Sequence, residues 1–194
     1  MLSFMNIDNK IYDNLSGKVL IATPYMLEGI FDKALIYILS HTPEGAMGLM
    51  FNHLVNNVEI KSFFKLADNQ LTNNIMIPIY LGGPIEHDRG FFLHSDDYDE
   101  NLLLKFQDHL AVSSNSKISQ DIASGQGPKN SLFIIGYTAW KAGQIESEIR
   151  ENIWLITDGD KDLIFSEHQE HKWHTALQNL GLRESHFTPR TGNA

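Results

Sequence analysis

Six consecutive residues, Leu132 to Tyr137 (LFIIGY), combine apolar character with β-propensity over a length too short for a helix, and so demand a buried strand. Several other runs make the same demand. Lys18 to Ala22 (KVLIA) ends at Thr23-Pro24. Ala34 to Ser40 (ALIYILS) turns through Glu44-Gly45 into Ala46 to Asn52 (AMGLMFN), which predicts a hairpin in which Gly48 lets a neighbouring backbone come close. Ile79 to Leu81, Phe91 to His94 and Trp154 to Thr157 complete the strand-like runs, and Pro78 predicts that the first of these is an edge or begins there.

Helical spacing is rarer. Ile60, Phe63, Phe64 and Ala67 predict a short amphipathic helix before Asp68-Asn69, and Ile118 with Ile122 predicts another that Gly125 ends. A helix from Gln144 stacks Ile145 over Ile149, and Ser166-x-x-Gln169 reads as a capping box opening a last helix that Gly181 terminates. Strands neighbour one another early and βαβ alternation is confined to the second half. That order predicts an α+β architecture on a mixed sheet, not a doubly wound parallel one. The 194 residues suit a single domain over 1–194, with 1–16 as an arm and 188–194 as a tail at its periphery.

Composition removes whole classes of function. Apolar residues are 42% and charged residues 20% of the chain, and no apolar run approaches the ~20 residues of a membrane helix. The first residues lack the pattern of an export signal, so a cytoplasmic protein is expected. With no cysteine there is no thiol nucleophile, thiolate zinc site or iron–sulfur cluster. Fifteen Lys plus Arg against 24 Asp plus Glu give a net charge of -9, with four arginines and scattered lysines, which disfavours a nucleic acid partner because such binding rests on neutralising phosphates.

Tyr80 to Ser95, YLGGPIEHDRGFFLHS, reads as a polar loop joining two strands. Gly82 and Gly83 permit close backbone approach and Pro84 stiffens the exit, which suits a ligand-facing loop and an ordinary turn alike. The spacing matches no phosphate-binding glycine motif. Arg89 is the only Lys or Arg between Lys65 and Lys105, amid Glu86, Asp88, Asp96, Asp97, Asp99 and Glu100. Its planar fork could hold a carboxylate or phosphate of a ligand, but pairing with one of those acids is the favoured reading. Tyr137, Trp140 and Gln144 follow the strongest strand, where sites gather at strand ends. Glu146 and Glu148 on the first helical turn would repel an anion, so a ligand there should be neutral or cationic. Shared use of one concavity by the Gly82 to Gly90 segment and the Tyr137 to Gln144 segment is expected.

The histidines offer less. His168, His171 and His174 flank the apolar stripe of Trp173, Ala176, Leu177 and Leu180, which makes them a solvent face and not a metal site. Asp158, Asp160 and Asp162 mimic a calcium loop but lack its glycine and bidentate glutamate, so a turn is expected. His41 and His94 each close a strand and are the better general-base candidates.

HTPEGAMGLMFN (His41 to Asn52), YLGGPIEHDRGFFLH (Tyr80 to His94), GQGPKNSLFIIGYTAWKAGQIESEI (Gly125 to Ile149) and KWHTALQNLGL (Lys172 to Leu182) together resemble the AlgH/YqgE family of bacterial proteins, in order and over nearly the whole chain. The resemblance implies a complex α+β fold with a branched, partly barrel-like mixed sheet flanked by helices. It also carries a label of transcriptional regulator, from an association with control of alginate production, and implies no established reaction. Thr138-Ala139 and Lys141 stand where the family has Ala-Gly and Gly, which adds bulk and a positive charge beside Trp140. Three functions fit. The leading one is a cytosolic protein that binds a small molecule or protein partner in regulation without touching DNA, with a candidate pocket of Gly82, Gly83, Arg89, His94, Tyr137, Trp140 and Gln144 and no cofactor. The alternatives are a small hydrolase-like enzyme using His94 or His41 with Arg89, and a direct transcriptional regulator.

Overall fold

The computed structural model describes residues 14–26, 29–59 and 76–187. Among the described residues there are ten strands and four α-helices. They run β1 (Lys18–Ala22), β2 (Leu35–Thr42), β3 (Gly45–Met50), β4 (Leu54–Glu59), β5 (Met76–Leu81), β6 (Ile85–Ser95), β7 (Leu104–Lys105), β8 (Leu110–Ser113), α1 (Ser116–Ser124), β9 (Ser131–Lys141), α2 (Gln144–Arg150), β10 (Trp154–Asp158), α3 (Lys161–Ile164) and α4 (Lys172–Asn179). The helix expected at Ile60 to Ala67 lies outside the described residues, as does the tail from 188.

The strand demanded by LFIIGY is the seam of the fold. Phe133 to Ile135 pair with both β6, antiparallel, and β5, parallel, so these two lie on opposite sides of β9. Farther along, Thr138 to Lys141 pair antiparallel with β3. The sheet therefore branches at β9: its main path is β10-β1-β2-β3-β9-β6-β8-β7, and β5 followed by β4 leaves it there. The architecture is α+β, with a curled, mixed sheet.

The first strands carry unbroken apolar runs because both of their faces are covered. Val19, Ile21, Leu35, Tyr37 and Phe51 face Trp173, Ala176 and Leu177 of α4. The alternate residues, Leu20, Ala22, Ile36 and Ile38, face Ile145 and Ile149 of α2 together with Trp140 and Trp154. Gly48 permits the expected close approach in the β2–β3 hairpin, since a Cβ there would meet Ile36 Cγ2 at 2.6 Å. On α1 the Asn115 side chain accepts from the N–H groups of Lys117 and Ile118, and Gly125 ends the helix at φ 76°.

Several expectations are corrected. The polar segment after Leu81 is mostly strand: only Gly82 to Pro84 join β5 to β6, and Glu86 to Arg89 form a wide bulge between the pairs Ile85↔Tyr137 and Gly90↔Ile135. Pro78 sits in a strand with two neighbours, but its missing N–H costs nothing on the β9 side because that pairing begins at Ile79. Trp140 lies within β9, opposite Ala46, not beyond the strand. Ser166 and Gln169 close a local turn through Gln169 Nε2 to the Ser166 carbonyl, and α4 starts only at Lys172. Leu15, assigned to a peripheral arm, is 1% exposed, and Ser16 Oγ accepts from the His41 N–H.

Candidate functional site

β9, α2 and β10 form an αβ unit stapled by one carboxylate. Gly143 turns the chain at φ 74°, and Gln144 folds its Oε1 back to accept from the Lys141 N–H at 3.0 Å. One turn on, Gln144 Nε2 donates to Glu148 Oε1 at 2.9 Å, the neighbour relation that i,i+4 spacing provides. The other oxygen, Glu148 Oε2, accepts from Trp140 Nε1 at 2.8 Å and Trp154 Nε1 at 2.7 Å. The two indoles stand edge to face, with centroids 6.1 Å apart, and Phe31 packs edge-on against Trp154. Among the described residues no cation forms an ion pair with Glu148.

Above this staple lies a cleft of about 340 Å³, walled by Tyr25, Met26, Phe31, Pro84, Ile85, Thr138, Ala139, Trp140, Gln144, Glu148, Ile153 and Trp154. Thr23-Pro24 delivers Tyr25 and Met26 to one wall, anchored by the Thr23 N–H to the Ile153 carbonyl. The opposite wall, Pro84 and Ile85, is held on β9 by backbone contact. The Gly82 N–H donates to the Ile135 carbonyl, and the Gly82 carbonyl accepts from the Met50 N–H.

The seven residues singled out from the sequence divide. Trp140 and Gln144 line the cleft, and Gly82 with Gly83 forms the turn that supports its Pro84 wall. Tyr137 packs with the opposite core and donates to Glu86 Oε1, and Arg89 reaches Glu86 Oε2 at 3.3 Å while stacking over Phe91. These two are not in the cleft wall. The Arg89–Glu86 pair is about half exposed (46% and 48%). Arg89→Leu is therefore expected to shift stability by less than about 1 kcal/mol in a denaturant titration, far short of a buried pair.

His94 is fully buried on β6 and lies apart from the cleft. Its Nδ1–H donates to the Ser95 carbonyl, so Nε2 is the acceptor for the Ser113 hydroxyl at 3.0 Å. Burial holds its pKa below the ordinary histidine value, against the opposing pull of the Ser95 carbonyl and Asp97. His41 accepts from the Leu15 N–H at Nδ1 and donates from Nε2 to Glu146. Both nitrogens of both histidines are thus committed.

A larger depression, about 590 Å³, is lined by Asp96, Asp97, His109, Lys129 and Lys161 among others. Within it Asp96 takes His109 at 3.1 Å and Asp97 takes the Ser95 hydroxyl at 2.6 Å. It offers no apolar wall comparable to the tryptophan cleft. Among the described residues no cluster of His, Asp and Glu could hold a metal ion, and no helix is long and apolar enough to cross a membrane.

The DUF179 family model, described as AlgH-like, matches residues 19–185. The chain belongs to the AlgH-like family. It is 61% identical over 187 residues to a UPF0301 protein of Rickettsia prowazekii, covering 96% of this chain and 99% of that one. A UPF0301 protein of Rickettsia canadensis is 59% identical over 189 residues, covering 97% and 100%. The solution structure of AlgH from Pseudomonas aeruginosa superposes with a TM-score of 0.72 at 33% identity, over 93% of this chain and 96% of that one. Protein DIP2367 of Corynebacterium diphtheriae shares the fold at 17% identity, with a TM-score of 0.66 over 84% and 86% of the two chains.

Among the lining residues missed from the sequence are Tyr25, Met26, Phe31, Ile153 and Trp154, and with them the role of Glu148. A partial signal lay in the order of the chain, since Trp140 and Trp154 flank the single short helix that carries Glu148. Glu148 was read only as a charge near a helix N-terminus.

Proposed function

We propose that this AlgH-like protein is a cytosolic ligand-binding protein acting in regulation, and that its ligand occupies the cleft between Pro84-Ile85 and Trp140. What carries this reading is the construction of the cleft: apolar and aromatic walls from β9, β10 and the turns beside them, open to solvent, converge on one carboxylate fixed by three neutral donors. Catalysis is the weaker reading, because His94 has no exposed surface and neither His94 nor His41 keeps a free nitrogen to take a proton from a substrate. Direct DNA binding is disfavoured by the net charge of -9.

Native mass spectrometry of freshly purified protein tests the proposal against Met26→Trp, which adds bulk to the half-buried wall of the cleft. The expected result is a non-covalent adduct on the wild type that the variant loses. An adduct kept by the variant would place the ligand elsewhere. A protein that carries no adduct, and whose melting temperature no compound in a small-molecule panel raises, would overturn the reading.

A further inference from the structure

We propose that the cleft selects a small organic cation: a quaternary or alkylated ammonium head carried on an apolar or aromatic body. This rests on the reading of the cleft as the ligand site and names the class of molecule it takes. Glu148 is the only charged side chain among the described residues lining the cleft, and its hydrogen bonds come from two indole N–H groups and one amide, all neutral. The carboxylate is held in place without being neutralised. A bound cation supplies the missing charge, a neutral ligand leaves it uncompensated, and an anion is repelled.

The surrounding surface suits the same guest. Trp140 and Trp154 turn their N–H edges to the carboxylate and, like Phe31, are nearly buried, so they floor the cleft, while Tyr25, 46% exposed, is the aromatic side chain of the lining that offers an open ring to an alkylated ammonium ion. A primary ammonium gains less here, since Oε2 already accepts two hydrogen bonds and Oε1 accepts one, whereas an alkylated head needs the field and the rings and no acceptors. The volume of about 340 Å³ lies at the small end of ligand pockets, enough for such a head and a short body. Lys141 is exposed and outside the cleft wall, and the overall charge of -9 draws cations toward the molecule.

Tryptophan emission reads the site directly, because Trp140 and Trp154 line it while Trp173 is buried elsewhere with its Nε1 on the Ala22 carbonyl. Benzyltrimethylammonium, its uncharged carbon isostere neopentylbenzene, and benzoate are titrated into the full chain. The cation is expected to give a saturable change, the isostere to bind at least about ten-fold more weakly, and benzoate not at all. Glu148→Gln keeps an acceptor for the indoles and is expected to weaken the cation about ten-fold, well beyond any change in the isostere. Gln144→Lys, at an exposed position, places a tethered cation beside Glu148 and is likewise expected to weaken the cation. Equal affinity for cation and isostere, or indifference of the cation to both substitutions, overturns the cation class and leaves the cleft as a site for neutral ligands. Cation binding that Met26→Trp does not weaken overturns the location. Silence with all three probes overturns the cation class, and the native mass spectrum then decides the cleft separately.

Discussion

Between about pH 7 and about pH 9.5 the wild-type protein is expected to gain roughly 3 kcal/mol of stability that Lys172→Met does not. Lys172 opens α4 and is 1% exposed. Its ammonium donates to the carbonyl of Ile164, the last residue of α3, and lies 5.6 Å from the Phe51 ring centroid and 5.9 Å from that of Tyr80. Among the described residues no carboxylate pairs with it. Burial accordingly pushes its pKa from 10.5 down to about 7. Through that window the unfolded chain holds a proton that the folded chain has released, so raising the pH favours the folded state, and the gain is complete only above the unfolded value. Tyr37, Tyr80 and Tyr98 are raised by burial, so unfolded tyrosines ionise first above about pH 10 and pull the other way, which sets the upper limit of the comparison. Methionine leaves the Ile164 carbonyl without its donor at a cost of about 1–3 kcal/mol at every pH, so the diagnostic quantity is the slope and not the midpoint. Denaturant titrations giving wild type and variant the same pH slope would show that the amine is not held in the core.

Lys172 also marks the limit of what the sequence discloses. A lysine beside a tryptophan at a helix start reads as solvent-facing, and nothing local indicates that a carbonyl from another helix will receive it. Elements set by nearby residues were legible: β1, the β2–β3 hairpin with its Gly48 contact, and α1 with its end at Gly125 follow from propensity, sterics and capping. Features set by distant chain were not. The branching at β9 depends on which strands reach it, and the extent of β6 depends on Ile85 finding Tyr137 while Glu86 to Arg89 bulge outward. The site divides the same way. Trp140 and Gln144 were legible as neighbours of a strand end, whereas Trp154 enters only because β10 pairs with β1 and brings Trp154 opposite Ala22. Arg89 was legible as paired but not as exposed, since exposure depends on the bulge.

Gly83→Ala is expected to cost about 3–5 kcal/mol, combining backbone strain with overpacking that no rotamer can relieve. Gly83 adopts φ 152°, and a Cβ built there would lie 2.3 Å from the Tyr137 carbonyl oxygen, 2.4 Å from its carbon and 2.5 Å from the Thr138 nitrogen. All three are backbone atoms of β9. Gly82 is confined likewise, with its Cβ position 2.2 Å from the Gly136 oxygen. The glycines before Pro84 thus let one backbone lie directly on another. Gly125→Ala is the control, because Gly125 has φ 76° and nothing within 4 Å of its Cβ position. It carries the left-handed conformation without the collision and should lose only about 1–2 kcal/mol. Guanidinium unfolding of the two variants separates the terms, and equal losses would mean the turn does not rest on β9. The clash should reach the cleft as well, since lifting Gly83 carries Pro84 and Ile85 away from Thr138 and Trp140. A Gly83→Ala protein that still folds is therefore expected to bind benzyltrimethylammonium more weakly than the wild type, whereas Gly125→Ala, at the C-terminal cap of α1 and outside the cleft wall, is expected to bind it unchanged.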